Sequence, residues 1–314
     1  MLEWLIERGI GETRSVRIRD GEIVEARVLL DGTVPAGTVI EARLKESGIP
    51  AIAEAEGEQY LLPKGAPGVT EGALFRVEVT RERIPGAEPW KRPLARLSDQ
   101  ASRPAQPIDG QEIPFPSPDD RLEHAGWSDL LEEARSSIVT FEGGELRISL
   151  TPAMTLIDVD GRMSPSELAL AAAAASARAI VRHGVGGSIG IDFPTISGKE
   201  QRQEVGAVID ANLHQPFERT AMNGFGFIQI VRPRAWASMF ELASDRAAFE
   251  ARALMRRAAM AHVGSMRLVA HPFVIQALDG NPRHLEALAR QVGGSVTLRS
   301  EPSLPIHGGY AESC

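Results

Sequence analysis

Two short apolar segments of the chain each end in acidic residues. Asp158 and Asp160 lie in Met154-Thr-Leu-Ile-Asp-Val-Asp160, and Asp192 lies in Gly187-Ser-Ile-Gly-Ile-Asp-Phe193. Residues two apart on a strand share a face, which predicts that Asp158 and Asp160 point the same way. Carboxylates about 4 Å apart repel by roughly 4 kcal/mol at an effective dielectric near 20, and a divalent cation held by oxygen ligands compensates that repulsion. The pattern therefore indicates a metal site, with solvated strand ends as the alternative.

A helix between the two acidic segments is predicted to bring their aspartates together. Ser164 and Glu167 form a capping box at its start, and an alanine-rich body follows over residues 167–183. A strand, a helix and a second strand with a short return make a βαβ unit, whose strands are parallel and whose crossover is right-handed. Asp158 and Asp192 are then expected at the carboxyl ends of neighbouring strands, where open α/β sheets place their sites.

Further helices and strands are predicted around this unit. They are a helix over 122–138, a hairpin with strands 137–141 and 145–150, a helix over 200–213, a strand over 225–231, a helix over 249–263, a strand over 266–270, helices over 272–278 and 283–292, and a strand over 295–299. Ser197-Gly-Lys-Glu200 matches a second capping box at the start of its helix. Phe225 and Phe227, two apart on a predicted strand, are assigned to the core.

The amino-terminal part of the chain is rich in short strands. Asp20-Gly21 lies between two alternating runs and predicts a hairpin with a type I′ turn. Five further strands are predicted over residues 39–44, 52–55, 60–62, 74–80 and 93–97. Their spacing favours a small barrel of the OB type, whose face commonly binds oligonucleotides, although an SH3-like barrel or a hairpin-rich lid fits nearly as well. The proline-rich stretch 101–120 is predicted to lack regular structure and to be a linker or an extended crossing.

Composition limits the classes of protein and of site. The chain has 314 residues, a net charge of −8 and no apolar run near the roughly 20 residues of a membrane span. These features favour a cytoplasmic protein without membrane contact. They also argue against a protein that coats nucleic acid generally, although a local basic groove stays open. Cys314 is the only cysteine, so neither internal disulfides nor a cysteine-based zinc site are expected.

Several of these segments together resemble one family. The two acidic segments, the alanine-rich helix between them and Asn223-Gly-Phe-Gly-Phe-Ile-Gln-Ile-Val-Arg232 are similar, in order and in spacing, to the catalytic core of the ribonuclease E/G family. The tail over residues 249–310 is similar to the small carboxyl-terminal domain of the ribonuclease G branch. The resemblance implies an α/β chain, α+β overall. It would have a mixed-sheet core of the ribonuclease-H-like and DNase-I-like kind, an inserted OB-type (S1-like) barrel and a small α/β domain at the end.

The resemblance also implies a division of the chain into parts. Residues 1–35 would form a hairpin that packs on the catalytic core, 36–100 the RNA-binding barrel, 101–120 the linker, 121–245 the catalytic domain and 246–314 the small terminal domain. The family's 5′-end-sensing domain is missing between the barrel and the catalytic segment. The family's cysteine-containing zinc link is missing too, so no zinc is expected and any homodimer would not be zinc-linked.

The activity that the resemblance implies is Mg²⁺-dependent cleavage of single-stranded RNA by an endoribonuclease, with Mn²⁺ as an alternative ion. Asp158 and Asp192 correspond to the family's metal-binding aspartates. Asp160 stands where the family has an asparagine, and it would either contact the metal shell or replace the hydrogen bonding of that asparagine. A metal-activated water would attack the phosphodiester and leave 5′-phosphate and 3′-hydroxyl ends.

The resemblance assigns RNA contacts as well. Tyr60 corresponds to a barrel aromatic that stacks on a base, with a half-buried strand tyrosine as the alternative. Lys91 corresponds to a lysine near the RNA. A second family aromatic is replaced by Ala53, which removes a stacking contact worth about 1–3 kcal/mol per base. Apart from the resemblance, five basic residues flank the acidic segments and are candidates for phosphate contacts, with a solvated surface charge as the alternative for each. They are Arg162, Lys199, Arg202, Arg232 and Arg234.

Two other functions fit the same residues. A non-catalytic RNA-binding or scaffold protein that keeps the ribonuclease E/G fold would account for the missing domain, the missing zinc link and Ala53. RNA binding that is sensitive to salt, with no cleavage at any metal concentration, would distinguish it. A metal-dependent phosphodiesterase for small nucleotides would use the same aspartates, and it would act on dinucleotides but not on long RNA.

Overall fold

A computed structural model of the chain describes residues 3–85, 92–261 and 263–313. It shows an α+β protein with several mixed sheets of parallel and antiparallel strands and a closed β-barrel. Within these ranges no helix combines the length and the apolar character that crossing a bilayer requires.

The amino-terminal sheet begins with three antiparallel strands, β1 (Trp4–Arg8), β2 (Glu12–Arg19) and β3 (Glu22–Leu30). Asp20 and Gly21 join the second strand to the third, with φ angles of 53° and 84°. Positive φ at both central residues is the requirement of a type I′ turn, so the predicted hairpin is confirmed.

The next strands close into a barrel with the order β4-β5-β6-β8-β7. They are β4 (Val39–Glu46), β5 (Ala51–Ala55), β6 (Glu58–Leu62), β7 (Leu74–Arg81) and β8 (Leu94–Leu97). The predicted strands are confirmed, each end lying within two residues of its expected place. Alternate residues point inward and form a core of their own, which includes Leu44, Leu62, Val77 and Val79.

The proline-rich stretch contains one more strand, β9 (Gly110–Ile113), which pairs in parallel with β1. The prediction of an irregular linker is therefore wrong for these residues. Pro107 and Pro114 lie outside the strand, so its own residues keep the N–H groups that a ladder needs.

Two helices and a hairpin lead into the acidic segments. They are α1 (Arg121–His124), α2 (Trp127–Ser136), β10 (Ile138–Phe141) and β11 (Gly144–Leu150). The single helix predicted over 122–138 is wrong, because Gly126 has a φ of 90° and interrupts it. The hairpin is confirmed, since Phe141 pairs with Gly144 across the turn.

The predicted βαβ unit is confirmed by β12 (Thr155–Gly161), α3 (Pro165–Arg182) and β13 (Gly187–Asp192), whose strands pair in parallel. The capping box of Ser164 and Glu167 is present at the start of α3. The second predicted capping box is wrong. The helix α4 (Lys199–Asn212) has Gly198 as its N-cap residue and no side-chain cap. Then β14 (Glu218–Arg219) and β15 (Phe227–Arg232) complete a sheet with the order β10-β11-β12-β13-β15-β14.

The alanine-rich helix α3 lies between two sheets. It contacts β10, β11 and β12 on one side and β3 of the amino-terminal sheet on the other. Ala169, Ala172 and Ala173 are completely buried, and their small side chains let the helix approach both sheets closely. The helix therefore covers one face of the sheet that carries the acidic segments, and the aspartates point from the opposite face.

The tail forms a smaller unit whose sheet has the order β17-β16-β18. It follows α5 (Met239–Ser244), which still packs into the main core. The elements of the tail are α6 (Arg246–Ala261), β16 (Met266–Ala270), α7 (Pro272–Asp279), α8 (Pro282–Val292), β17 (Val296–Ser300) and β18 (Tyr310–Ser313). Only α5 and β18 were not predicted. The helix α6 joins two cores, because Phe249 packs into the main core while Leu254 and Met255 pack into that of the tail.

A buried ion network ties α6 to the amino-terminal strands. Arg256 donates to Glu7 at 3.0 Å and to Asp120 at 2.7 Å. Arg14 donates to Glu7 at 2.6 Å and to Glu12 at 2.8 Å. Burial acts against the charged form of Arg256, but its two carboxylate partners outweigh burial and raise its pKa above the usual range. The helix α6 is therefore joined to the amino-terminal strands by charges that are largely buried, with Asp120 the most exposed of them.

A buried histidine couples folding to pH. His183 is completely buried, with Nε2 2.9 Å from Glu133 Oε2. Burial lowers the pKa of His183, although Glu133 acts in the opposite direction. Burial alone would raise the pKa of Glu133, but hydrogen bonds from His183 and Arg182 outweigh it and hold this pKa below its usual range. Both groups therefore bind protons less readily in the folded state than in the unfolded state.

We accordingly predict that the free energy of unfolding falls in acid. The contribution of His183 is complete above its ordinary pKa of about 6.5 and is lost as the pH falls toward the lowered folded-state pKa. Urea unfolding at a series of pH values between about 8 and about 5 measures this dependence. The variant His183→Gln is expected to be less stable at neutral pH and to lose less stability on acidification. An identical pH dependence in both proteins would contradict the assignment.

Candidate functional site

The register of the sheet places two of the predicted aspartates opposite each other. Asp158 of β12 and Asp192 of β13 are Cα partners in the parallel pair. Both are exposed, whereas their neighbours Ile157 and Ile191 are buried toward α3. Neighbouring strands are about 4.8 Å apart, so the two carboxylates project side by side from the open face of the sheet.

Neither carboxylate has a bonded partner among the residues that the structure describes. Across the described ranges, Asp158 and Asp192 form no ion pair and no side-chain hydrogen bond. The same residues contain no group of three or more His, Cys, Asp or Glu placed to hold a metal ion. Two carboxylates fit Mg²⁺, which commonly takes one or two of them and keeps several waters. They do not fit zinc, which takes four ligands and prefers nitrogen and sulfur.

Asp160 lies two residues after Asp158 on β12, beyond the end of β13. Its Cα partner is Glu145 on β11, since β13 has already ended. Arg147, the Cα partner of Asp158, has Nη2 at 2.6 Å from Glu145 Oε1 and at 3.9 Å from Asp160 Oδ2. Asp160 thus belongs to a partly solvated cluster with Arg147. Arg147 was not predicted as a site residue, because nothing in its own strand indicates that it lies opposite Asp158.

Two positively charged side chains lie at the same edge of the sheet. Arg162 and Lys199 are exposed, in the segment after β12 and at the first residue of α4. Gly198, the N-cap residue of α4, has no side chain that could accept hydrogen bonds from the first N–H groups of the helix. These groups can therefore donate to another acceptor, and the helix dipole favours an anion there. Arg202 is tied to the neighbouring loop through hydrogen bonds to the carbonyl groups of Ile196 and Ser197. The edge offers both ligands for a cation and donors for a phosphate.

Arg232, a predicted phosphate contact, is not brought to this edge. Its Cα partner on β13 is Gly187, whereas Asp192 pairs with Phe227. Five residues along a strand correspond to about 17 Å. The Nη1 group of Arg232 donates to Val185 O at 3.2 Å, and burial lowers the pKa of this arginine. The structure therefore makes Arg232 part of the opposite end of the sheet.

Tyr60 does not offer a ring to RNA in this conformation. It is 1% exposed and belongs to the core of the barrel, because β6 directs Tyr60 and Leu62 inward. Burial, with the nearby Glu58 and Glu56, raises the pKa of Tyr60 to about 12. The expected stacking platform is thus replaced by a core tyrosine. Lys91, the other expected contact of the barrel, lies outside the described residues.

Phe225 lies where sequence reasoning did not expect it. It was assigned to the core but is 84% exposed, because β15 begins only at Phe227. Phe227 is partly buried, and its Cζ stands 2.6 Å from the position of a Cβ on Gly190. The glycines on both sides of Phe225 and the preceding Asn223 are turn residues, and that signal could have identified a loop.

Comparison with known proteins gives no family for this chain. No protein-family model matches it, and no curated protein matches it either. The opposed aspartates and the groups around them are the basis on which a function can be inferred.

Proposed function

We propose that the chain is a Mg²⁺-dependent endoribonuclease that cleaves single-stranded RNA. The observation that carries the proposal is the pairing of Asp158 with Asp192 on the open face of a parallel strand pair. The resemblance of these segments to the ribonuclease E/G family supports it. Bound Mg²⁺, or Mn²⁺ in its place, would activate a water for attack on the phosphodiester and neutralise charge on the phosphate.

The residues of the site have distinct roles in this proposal. Asp158 and Asp192 would hold the cation, and Asp160, which lies with Glu145 and Arg147, would act only on the outer part of its hydration shell. Arg162, Lys199 and the amino end of α4 bind phosphate oxygens, since cations and free N–H groups are donors to anions.

The finer architecture belongs to the same proposal. The barrel of β4 to β8 would be the S1-like, RNA-binding module, and the sheet of β10 to β15 with its helices would be the ribonuclease-H-like core. The closed barrel supports this, because OB folds use such barrels to bind oligonucleotides. Ala53 and Tyr60 lie in the barrel core, so any RNA contact would come from other side chains of this module.

Incubation of purified protein with an end-labelled single-stranded RNA tests the proposal. Internal cleavage is expected with Mg²⁺ or Mn²⁺, and none with EDTA. The products should carry 5′-phosphate and 3′-hydroxyl ends, which ligation by an RNA ligase detects. Cleavage that is indifferent to EDTA, or products with cyclic phosphate ends, would contradict a metal-activated water.

One observation favours the rival function, a non-catalytic RNA-binding protein. Arg147 stands beside Asp158 and Asp160, so a side chain could compensate the acids in place of a metal. Such a protein would bind RNA with an affinity that falls steeply with salt and would cleave nothing at any metal concentration.

The variant Arg147→Gln separates the two functions. Arg147 is more than half exposed, so its interaction with the acids is limited to about 0.2–1 kcal/mol. If the aspartates bind Mn²⁺, removing the neighbouring positive charge should tighten that binding by up to about fivefold. Isothermal titration calorimetry of Mn²⁺ binding to wild type and variant measures the change. Mn²⁺ binding that is undetectable in both proteins would favour the non-catalytic protein.

A further inference from the structure

A solvent-exposed phenylalanine stands beside the opposed aspartates. Phe225 is 84% exposed. Its neighbour Gly226 accepts a 3.1 Å hydrogen bond from the N–H of Phe193, the residue that follows Asp192. Aromatic surface in water is unfavourable, and nothing in the packing of the sheet requires this ring to point outward. The exposure of Phe225 therefore indicates a functional role for its ring.

The loop that carries Phe225 is held in one shape. Asn223 Oδ1 accepts hydrogen bonds from the N–H groups of Phe225 and Phe227, at 2.9 and 3.0 Å. Thr195 Oγ1 donates to the carbonyl of Phe225 at 3.3 Å. Gly226 has a φ of 97°, and a Cβ there would stand 2.2 Å from Phe193 O, so glycine is needed. The backbone is fixed while most of the ring is exposed to solvent, which is the arrangement of a preorganised binding group.

The surroundings of the ring indicate what it binds. An apolar strip made by Phe227, Gly190 and Met154 crosses the open face next to the aspartates, with Met154 Sδ 3.0 Å from the Cβ position of Gly190. Lys199 and the uncapped amino end of α4 favour an anionic group at the same edge. An aromatic face and phosphate donors side by side match the two parts of a nucleotide, namely its base and its phosphate.

We propose that Phe225 is a stacking platform for one base of a single-stranded RNA, next to the phosphate that lies at Asp158 and Asp192. The inference rests on the proposed RNA substrate but not on cleavage, because stacking requires no metal. Every base has a π face, so the platform is expected to accept all four bases. The ring replaces, at the catalytic edge, the aromatic contact that the barrel loses through the burial of Tyr60.

Binding of a fluorescently labelled RNA in EDTA, followed by anisotropy at low salt, tests the platform. The full-length Phe225→Ala variant is expected to bind about 5- to 150-fold more weakly than wild type, and Phe225→Trp is expected to keep the affinity. In Phe225→Trp the added indole fluorescence should be quenched by RNA. The matched control is Phe273→Ala, which removes another exposed phenylalanine (59%) from α7 of the tail and should leave binding unchanged.

An RNA with abasic residues in place of its bases provides a second control. It keeps the phosphates, so Phe225→Ala and wild type should bind it equally. Circular dichroism confirms that the variant is folded, which is expected because its side chain has few contacts. If Phe225→Ala is nevertheless unfolded, the fluorescence of Phe225→Trp provides the test. Quenching by RNA supports the platform, and unchanged fluorescence overturns it.

Each remaining result supports or overturns the platform. Equal RNA binding by wild type and Phe225→Ala overturns it, and so does wild type that binds no RNA. If the variant instead loses self-association in sedimentation while its RNA binding is unchanged, the ring belongs to a contact between copies of the chain. Cleavage in Mg²⁺ is scored separately. Weaker binding by Phe225→Ala together with no cleavage by wild type would support the platform and contradict the proposed nuclease.

Discussion

Replacing Asp158 or Asp192 by asparagine is expected to lower kcat/KM for cleavage of single-stranded RNA about 1000-fold, because each change removes one of two carboxylates that hold the cation. A loss of this size corresponds to about 4 kcal/mol of transition-state stabilisation. Asparagine has nearly the same shape, and both aspartates are exposed, so the variants should fold normally. Initial rates with a labelled RNA at several concentrations of Mg²⁺ provide the measurement.

Two further substitutions serve as controls for this result. Asp279→Asn changes an exposed aspartate at the end of α7, in the tail, and should leave the rate unchanged. Asp160→Asn should change the rate by less than about tenfold, because Asp160 faces Glu145 and Arg147 rather than Asp192. Cleavage that persists in Asp158→Asn and Asp192→Asn would remove both residues from the mechanism.

The substitution Arg256→Ala is expected to lower the free energy of unfolding by about 3–5 kcal/mol, because it leaves the buried Glu7 with Arg14 as its remaining arginine and removes the arginine that pairs with Asp120. The side chain of Arg256 is 4% exposed and that of Glu7 is 3% exposed, so water cannot replace the lost hydrogen bonds. Native domains are stable by only about 5–15 kcal/mol, which makes this a large fraction of the total. Urea unfolding followed by circular dichroism measures the change.

An exposed ion pair provides the control, and its arginine lies on β1 next to Glu7. Arg8 and Glu112 pair with side chains that are 67% and 60% exposed. Truncation of this arginine by Arg8→Ala should cost less than about 1 kcal/mol, since water screens the pair. Similar losses for Arg8→Ala and Arg256→Ala would show that burial does not govern the strength of these networks.

The sequence predicted those elements whose local signals agree with their tertiary surroundings. Alternation and turn residues identified the barrel strands, and the capping box of Ser164 marked the start of α3. The errors arose where one residue or a distant strand decided the outcome. Gly126 divided a predicted helix, and β9 became a strand only because β1 offers it a partner more than 100 residues away. Pairing over such a distance has no local signature.

The candidate site was predicted in part. The parity of the strands and the βαβ crossover were sufficient to place Asp158 beside Asp192. Parity could not tell which side of β6 faces the inside of the barrel, and this decided the position of Tyr60. The alternation of residues also did not show where β15 begins, and this start determines that Phe225 is exposed and Phe227 half-buried. Arg147 was missed because its importance comes from a partner strand, not from its own segment.

A crystal of the protein soaked in Mn²⁺ tests the central proposal most directly. We expect an anomalous difference peak at the end of β12 and β13, with carboxylate oxygens of Asp158 and Asp192 within about 2.0–2.3 Å of the ion and waters completing its shell. Soaks of Asp158→Asn crystals should show a weaker peak or none. An open face without a peak, or an ion bound at other residues while Arg147 bonds to Asp158 and Asp160, would contradict it.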